Sequence, residues 1–232
     1  NYIKPNNLNI IEEKYINFKN VDKIENIRGV IVPHSELKLA GEISNRIFER
    51  IDFDKYDRII ILSTHHQNNT FISESTEFNY KKTLFKFNNS GITNVVRNDK
   101  VFNDEYTWLL ILPFLIKVNK INNITILLVG KYYNDNLFED LKKIIDANTL
   151  VIANTNLIKC GKGYDVCPIN HHEINQKTIE NIQMLNSDKL SGYAFDLLSG
   201  LGSIKLFIQL AKHFNWVSNL SYYTSSDIVI EN

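Results

Sequence analysis

The sequence predicts a three-layer α/β sandwich with a mainly parallel central sheet. Two short apolar runs, Val-Ile-Val at positions 30–32 and Ile-Ile-Ile-Leu at positions 59–62, are bounded by polar residues, as fully buried parallel strands are. Segments with helical periodicity alternate with such runs along most of the chain. This alternation is typical of a parallel sheet that is covered by helices on both faces.

The first half of the chain begins this alternation. A strand is predicted over 28–33, and a helix is predicted from about Gly41 to Ile51, where three isoleucines recur at helical spacing. A second strand is predicted over 57–63. Residues 70–98 alternate in polarity and are rich in Thr, Phe and Asn, which predicts a β excursion.

The second half continues the same pattern. A helix is predicted over about 102–118, with Asn103 or Asp104 as its N-terminal cap. The remaining elements are predicted, in chain order, as a strand over 124–129, a helix near 136–146, a strand over 150–153, two or three helices over 172–214 and a late strand over 217–223. No repeat or low-complexity linker divides the chain, so we expect a single domain over 1–232, in which 1–27 shows no clear pattern.

Composition limits the classes of function. The 26 basic and 26 acidic residues cancel, and no basic stripe favours binding to nucleic acid. No apolar stretch approaches the roughly 20 residues that are needed to span a bilayer. We therefore expect a cytoplasmic protein without nucleic-acid or membrane partners.

Two cysteines and a pair of histidines lie close together in the second half. Cys160 and Cys167 are too few for a disulfide scaffold, so we expect two reduced thiols in a loop. His171 and His172 are expected in the exposed first turn of a helix, with Asn170 as its cap.

Other histidines follow both apolar runs. His34 follows the first run, and His65 and His66 follow the second. The carboxyl ends of parallel strands share one edge of a sheet, where α/β proteins bind ligands. If the two strands are adjacent, His34 and His65 therefore lie close together and indicate a metal or an acid–base site. For His66 we expect a hydrogen bond to backbone in preference to a ligand role.

Four segments carry motifs that occur together, in the same order, in one protein family. They are Pro-His-Ser-Glu-Leu at 33–37, Leu-Ser-Thr-His-His at 62–66, Asp-Glu-Tyr-Thr-Trp-Leu-Leu-Ile-Leu-Pro-Phe at 104–114 and Asn-Thr-Asn-Leu-Ile-Lys-Cys-Gly at 154–161. In that order they resemble the Pro-His-Ala-Gly-Tyr, Gly-Pro-Ser-His-His, Asp-Glu-His-Ser-x-Glu-x-x-Leu-Pro-Phe and Ser-Ser-Asp-Phe-x-His-x-Gly motifs of the Memo family (mediator of cell motility). The resemblance implies the fold of the class III extradiol dioxygenases, which that family shares.

The resemblance also implies a pocket. In the Memo family three histidines and a cysteine converge on a pocket that can hold a metal ion, and in the related dioxygenases two histidines and a carboxylate hold ferrous iron. His34 and His65 stand at two of the histidine positions in this chain. Lys159 stands at the third histidine position, Ser199 stands at the cysteine position, and Asn156 replaces an aspartate.

These substitutions remove metal ligands. A lysine ammonium has no lone pair, a serine hydroxyl is a poor ligand for a transition metal, and two imidazoles alone rarely hold a metal tightly. The sequence therefore predicts a Memo-like protein with a degenerate metal pocket. We expect it to be non-catalytic and to act through contacts with a protein partner or by binding a small ligand.

Two more specific interpretations stay open. Lys159 beside the histidines, with Asp104 and Glu105 as anionic partners, makes a pocket for a small anion or metabolite such as phosphate or a carboxylate. Alternatively, the retained histidines belong to a metal-dependent redox enzyme that uses iron or copper. In that case Cys160, if it turns inward, restores a soft ligand.

Overall fold

The computed structural model describes residues 13–158, 160 and 167–224 of the chain. Its strands are β1 (Gly29–Val32), β2 (Arg58–Thr64), β3 (Phe71–Ile72), β4 (Glu77–Tyr80), β5 (Thr83–Lys86), β6 (Val96–Arg97), β7 (Ile124–Val129) and β8 (Thr149–Asn154). Its α-helices are α1 (Leu37–Phe48), α2 (Asp99–Asp104), α3 (Leu112–Lys117), α4 (Asp135–Ile144), α5 (His171–Gln183), α6 (Tyr193–Asp196) and α7 (Leu201–His213). Short 3-10 turns lie at Glu13–Tyr15, Phe53–Lys55, Thr107–Leu110 and Ser187–Lys189.

A mainly parallel sheet forms the centre of the fold, as predicted. Within the described residues it has six strands in the order β1-β8-β2-β7-β3-β6. The first four of these strands run parallel, β3 is antiparallel to β7, and β6 is parallel to β3. The pair β4 and β5 forms a separate antiparallel hairpin, so the predicted β excursion over 70–98 is confirmed.

The central strands form where the β-branched runs predict them. Every residue of β7 and β8 is buried, and so is every residue of β2 after Arg58. Because both faces of these strands are covered, they consist of continuous apolar residues and do not alternate in polarity. A strand of this kind is stabilised by burial at roughly 25 cal/mol per Å² of apolar surface.

Helices and turns cover both faces of the sheet. On one face α1, α3 and the 3-10 turn Thr107–Leu110 contribute to a large cluster, whose largest buried aromatic side chains are Phe48, Phe78, Tyr80, Phe85, Phe102, Trp108 and Phe114. On the other face α4 and α7 pack through leucines at helical spacing, which are Leu137, Leu141, Leu206 and Leu210. The sheet and its two covering layers make the three-layer arrangement that the alternation predicts.

The predicted helix over 102–118 is wrong, because the chain breaks there into α2, a 3-10 turn and α3. Asn98 caps α2 by accepting a hydrogen bond from the Lys100 amide, so neither Asn103 nor Asp104 is the cap. Pro113 stands in the first turn of α3, where the missing N–H costs no helical hydrogen bond. Just after α2, the Glu105 side chain accepts hydrogen bonds from the backbone amides of Tyr106 and Thr107. These amides are then not available for helical hydrogen bonds, so the contact competes with continuation of the helix.

The predicted late strand over 217–223 is also wrong. Residues 216–224 are irregular, and Val217 is 95% exposed. This segment and β1 line a groove of about 1060 Å³. Within the described ranges, no helix has the length and the apolar run that would carry it across a membrane.

Candidate functional site

The four parallel strands end at one edge of the sheet, and their ends carry the polar residues of the candidate site. β8 lies between β1 and β2. His34 and His65 therefore follow strands that are not adjacent, and the end of β8 separates them. The two asparagines there, Asn154 and Asn156, connect the neighbouring strand ends.

Asn154 holds β2 against β8 and against the following turn. Its side-chain oxygen accepts a hydrogen bond from the Thr64 amide at 2.9 Å, and its amide nitrogen donates to the Thr107 carbonyl at 2.6 Å. The Thr64 hydroxyl donates to the Asn154 carbonyl at 2.8 Å. Asn154 and Thr107 are fully buried, so loss of either partner would leave polar groups without hydrogen bonds in the core.

Asn156 positions two further residues of the site. Its side-chain oxygen accepts from the His34 amide at 3.2 Å, and its amide nitrogen donates to the Ser35 hydroxyl at 3.0 Å. Its backbone N–H donates to the Ser199 carbonyl at 3.0 Å. Asn156 therefore acts as a connector between the end of β1 and the segment that precedes α7.

His34 is fully buried and contacts Ser199 and His66. Its Nε2 atom lies 2.9 Å from the Ser199 hydroxyl oxygen. Its ring meets the His66 ring edge to face, with 5.4 Å between the ring centroids. The structure therefore brings His34 together with His66, the histidine for which a backbone contact was expected.

His66 is bound to a buried carboxylate. Its Nδ1 atom lies 2.8 Å from Oε2 of Glu105, whose other oxygen accepts hydrogen bonds from the amides of Tyr106 and Thr107. Burial alone raises the pKa of the Glu105 carboxyl. The hydrogen bond and charge of His66 and the backbone amides outweigh burial and hold that pKa below its usual range.

This pairing determines the chemistry of the His66 ring. With Glu105 ionised, Nδ1 of His66 carries a proton and donates it to the carboxylate. In the neutral ring Nε2 then holds the lone pair, and in the protonated ring Nε2–H is a charged donor. The side chain of His66 is 44% exposed and that of Glu105 is 7% exposed, so the ring connects a buried charge to solvent.

His65 uses its ring differently. Its Nδ1 atom lies 2.8 Å from the Asn69 carbonyl oxygen, and its ring packs edge to face against Phe71 with 5.3 Å between centroids. His65 is 8% exposed. The expected pair of His34 and His65 is thus replaced by the contact between His34 and His66.

Of the remaining expected pocket residues, Asp104 is exposed at the end of α2, and Glu105 is the carboxylate that faces the histidines. Cys160 is buried and forms a disulfide with Cys167, so the expectation of two reduced thiols is wrong for this structure. Counting cysteines does not reveal that these two sulfur atoms pair. Lys159 lies outside the described residues.

A cavity of about 260 Å³ lies beside His65, His66 and Ser199. Its opposite wall is the start of α7, whose N-cap residue, Gly200, has no side chain with which to cap the helix. Lys131 also lines this cavity and forms an ion pair with Asp196 at 3.0 Å.

Two glycines let α7 approach the strand ends this closely. Gly200 has φ +94°, and a Cβ atom there would collide with the hydroxyls of Thr64 and Thr155. A Cβ atom on Gly202 would collide with the carbonyl oxygen of Gly130 after β7. The cavity wall therefore depends on residues without side chains.

The pocket side chains do not fit a resident iron or copper ion. In the described part of the chain, the one group of three His, Cys, Asp or Glu side chains with ligand atoms within 4.8 Å of one another is Cys160, Cys167 and His171, outside this pocket. The Ser199 hydroxyl at Nε2 of His34 is a weak metal ligand. Both oxygens of Glu105 are used by hydrogen bonds.

Asn154 and Lys131 belong to the site but were not recognised from the sequence. Asn154 is the last residue of β8, and a polar residue at the end of a buried strand was the available signal. Lys131 follows β7 and reaches the cavity because β7 is adjacent to β2. That adjacency depends on strand order, which residue patterns do not encode.

Comparison of the sequence with protein-family models and with curated proteins gives no match.

Proposed function

We propose that this chain is a Memo-like protein, with a fold like that of the class III extradiol dioxygenases, whose pocket binds a small anion and does not transform it. Phosphate or a short carboxylate is the class of ligand that we assign. The observation that carries this proposal is that groups able to donate hydrogen bonds line the 260 Å³ cavity. These donors are His66, Ser199 and the start of α7.

The electrostatics of the cavity favour an anion. Nδ1 of His66 faces Glu105, so Nε2 is the nitrogen that faces a ligand, and in the protonated ring Nε2–H donates a charge-assisted hydrogen bond. The N-terminus of α7, a helix of 13 residues, adds the positive end of its dipole. Lys131 adds a further cation at the rim, partly balanced by Asp196.

The size of the cavity favours a small ligand. Its volume of about 260 Å³ lies below the roughly 300–1,000 Å³ of sites for drug-sized molecules. An inorganic anion or a short dicarboxylate matches this volume and the polar character of its walls.

The non-catalytic part of the proposal rests on the side chains at the expected metal positions. Ser199 offers a neutral hydroxyl to Nε2 of His34, where the Memo motif has a thiol. The resemblance itself is supported by the positions of the motif segments, because those that begin at Pro33, Leu62 and Asn154 all lie at one edge of the sheet. Contact with a protein partner is a second route by which such a chain would act.

Calorimetric titration with inorganic phosphate and with malonate tests the proposal. We expect saturable binding to the unmodified chain, and loss of binding in His66→Ala and in Ser199→Ala. His213→Ala, at the exposed end of α7, is the matched control and retains binding. If neither anion binds, or if both bind equally well to His66→Ala, the assignment is wrong.

One observation favours the alternative, a metal-dependent redox enzyme that uses iron or copper. His65 and His66 both direct Nδ1 at an acceptor, Asn69 and Glu105 respectively, which leaves Nε2 as the nitrogen for a ligand. Metal-bound histidines commonly show this pattern. Anaerobic loading with ferrous iron or cuprous copper distinguishes the two functions. One ion per chain that is lost in His66→Ala supports the enzyme and contradicts the anion pocket.

A further inference from the structure

We propose that Cys160, Cys167 and His171 form a second site, which binds a soft divalent cation such as Zn²⁺ when its disulfide is reduced. The site lies at the start of α5, away from the pocket of His34 and His66. It does not depend on the proposed function of that pocket.

The ligand atoms are already gathered. The Sγ atoms of Cys160 and Cys167 and a ring nitrogen of His171 lie within 4.8 Å of one another. Nδ1 of His171 lies 3.5 Å from Sγ of Cys167. Zinc lies about 2.3 Å from thiolate sulfur and about 2.0–2.1 Å from histidine nitrogen. In a tetrahedral zinc site, a sulfur ligand and a nitrogen ligand are therefore separated by roughly the distance between Sγ of Cys167 and Nδ1 of His171.

The surroundings suit a metal with an open position. Cys160 is 1% exposed and packs in the apolar cluster beneath α5, among residues such as Ile174 and Leu190, whereas Cys167 is exposed. One side of the site is thus anchored in the core, and the other is accessible to an ion and to a reductant. Three protein ligands and a water complete a tetrahedral shell.

The α5 helix determines where His171 stands. His171 is the first residue of α5, and Nδ1 also lies 3.0 Å from the carbonyl oxygen of Pro168. In the disulfide form a proton on Nδ1 is donated to that carbonyl. Metal binding requires the lone pair on Nδ1, so the proton moves to Nε2 and the ring turns away from Pro168.

The chemistry balances as a thiol–disulfide exchange followed by metal binding. An external dithiol reductant supplies two electrons and two protons, and it leaves as its own disulfide while Cys160 and Cys167 become thiols. Zinc then replaces the two thiol protons, which are released to solvent. The disulfide and the metal are mutually exclusive because the S–S bond replaces the two thiolates that zinc needs as ligands, so the redox state of the pair controls binding.

The spacing Cys-x6-Cys-x3-His in the sequence was the signal for this site. It is wider between the cysteines than the usual zinc motif. His171 had been assigned to an exposed helix turn, whereas its ring is half-buried against Cys167. The expected cap, Asn170, makes no side-chain capping bond.

Zinc titration of the full chain in two redox states tests the proposal. One sample is reduced with a phosphine and freed of it anaerobically, and the other is left oxidised. A chromophoric chelator competes for zinc. We expect one equivalent to bind to the reduced chain and none to the oxidised chain. With Co²⁺ in place of zinc, we expect a thiolate-to-metal charge-transfer absorption.

Variants assign the ligands. Cys167→Ser changes an exposed side chain, so we expect the fold to be retained. Loss of an outer-shell partner lowers metal affinity by up to roughly 100-fold. Cys167→Ser and His171→Ala each remove a direct ligand, so each weakens zinc binding by at least that factor. His172→Ala, on the neighbouring residue of α5, is the matched control and keeps the affinity. Equal zinc binding in both redox states, or tight binding that survives Cys167→Ser, contradicts this site. Neither result bears on phosphate binding at His66, so the two proposals fail separately.

Discussion

Nδ1 of His66 lies 2.8 Å from Oε2 of Glu105, so a half-exposed imidazole is fixed to a buried carboxylate. The same carboxylate accepts hydrogen bonds from the backbone amides of Tyr106 and Thr107. One side chain therefore orients the ring of the pocket and also ends the helix that the sequence predicts there. We therefore expect the stability of the fold and the proposed anion binding to be linked through this residue.

We predict that Glu105→Gln lowers the free energy of unfolding at neutral pH by about 1–3 kcal/mol, the usual cost of disturbing a buried charged hydrogen-bond network. The pKa of Glu105 is held below its usual range in the folded state. The stabilisation is therefore fully present above the ordinary glutamate pKa and is lost as the pH falls through the lowered value. Urea unfolding at about pH 7 and about pH 3 measures this.

Glu173→Gln provides the matched control for Glu105→Gln. Glu173 forms an exposed ion pair with Lys177 on α5, so its replacement leaves the unfolding midpoint nearly unchanged. A Glu105→Gln variant whose stability deficit grows as the pH falls would contradict the assigned direction of the pKa shift.

We predict that Ser199→Cys creates a metal site in the pocket. The new thiolate lies next to Nε2 of His34, which the serine hydroxyl now contacts at 2.9 Å. In a background of Cys160→Ser and Cys167→Ser, zinc affinity rises by about 10-fold or more, because a thiolate replaces a neutral hydroxyl. Ser191→Cys in the same background adds a thiol at an exposed position that does not line the pocket cavity, and it is the control. Equal zinc affinity in the two cysteine variants would refute this prediction.

We predict that Gly200→Ala destabilises the chain more than Gly192→Ala does. Gly200 lies in the left-handed helical region, which costs an L-residue about 1–2 kcal/mol. Gly192, with φ 96° and ψ 167°, lies in an extended region of positive φ that costs an L-residue about 1–3 kcal/mol, so the control carries a backbone cost at least as large. A Cβ atom at position 192 meets nothing within 4 Å, whereas at position 200 it collides with Thr64 and Thr155. That collision adds about 1–3 kcal/mol. Thermal unfolding of both variants measures the difference, and equal losses would show that α7 does not need this close approach.

We predict that Asn154→Ala costs about 2–4 kcal/mol, because it leaves the buried Thr64 amide and Thr107 carbonyl without their partner. Asn136→Ala, at an exposed position of α4, is the control and has little effect. Denaturant unfolding of both variants measures the losses. If Asn154→Ala is as stable as the unmodified chain, the connection between β2, β8 and the following turn is not important for stability.

The central strands could be predicted from the sequence, because a continuous β-branched run such as that in β2 is typical of a strand that is buried on both faces. The sequence was not sufficient for the order of the strands. The parallel sheet places β8 between β1 and β2, and this order separates His34 from His65. The turn after Thr64 determines whether His65 or His66 contacts His34. In that turn the His65 ring forms a hydrogen bond with the Asn69 carbonyl, and His66 contacts His34 instead.

The other differences arise from contacts close in sequence that hydrophobic periodicity does not report. The break in the predicted helix over 102–118 follows from the local bonds of Glu105 and from Pro113. The disulfide between Cys160 and Cys167 joins two residues whose pairing the number of cysteines does not indicate. Periodicity reports which face of an element is apolar, but it does not report which elements pack together.

The most direct test of the central claim is nitrogen NMR of the imidazole groups at about pH 7, with and without inorganic phosphate. Because an anion stabilises the protonated ring, we predict that phosphate moves the His66 nitrogens towards imidazolium values, while the exposed His213 stays unchanged. If His66 does not respond at phosphate concentrations that leave His213 unaffected, the pocket does not bind the anion and the proposed function is wrong.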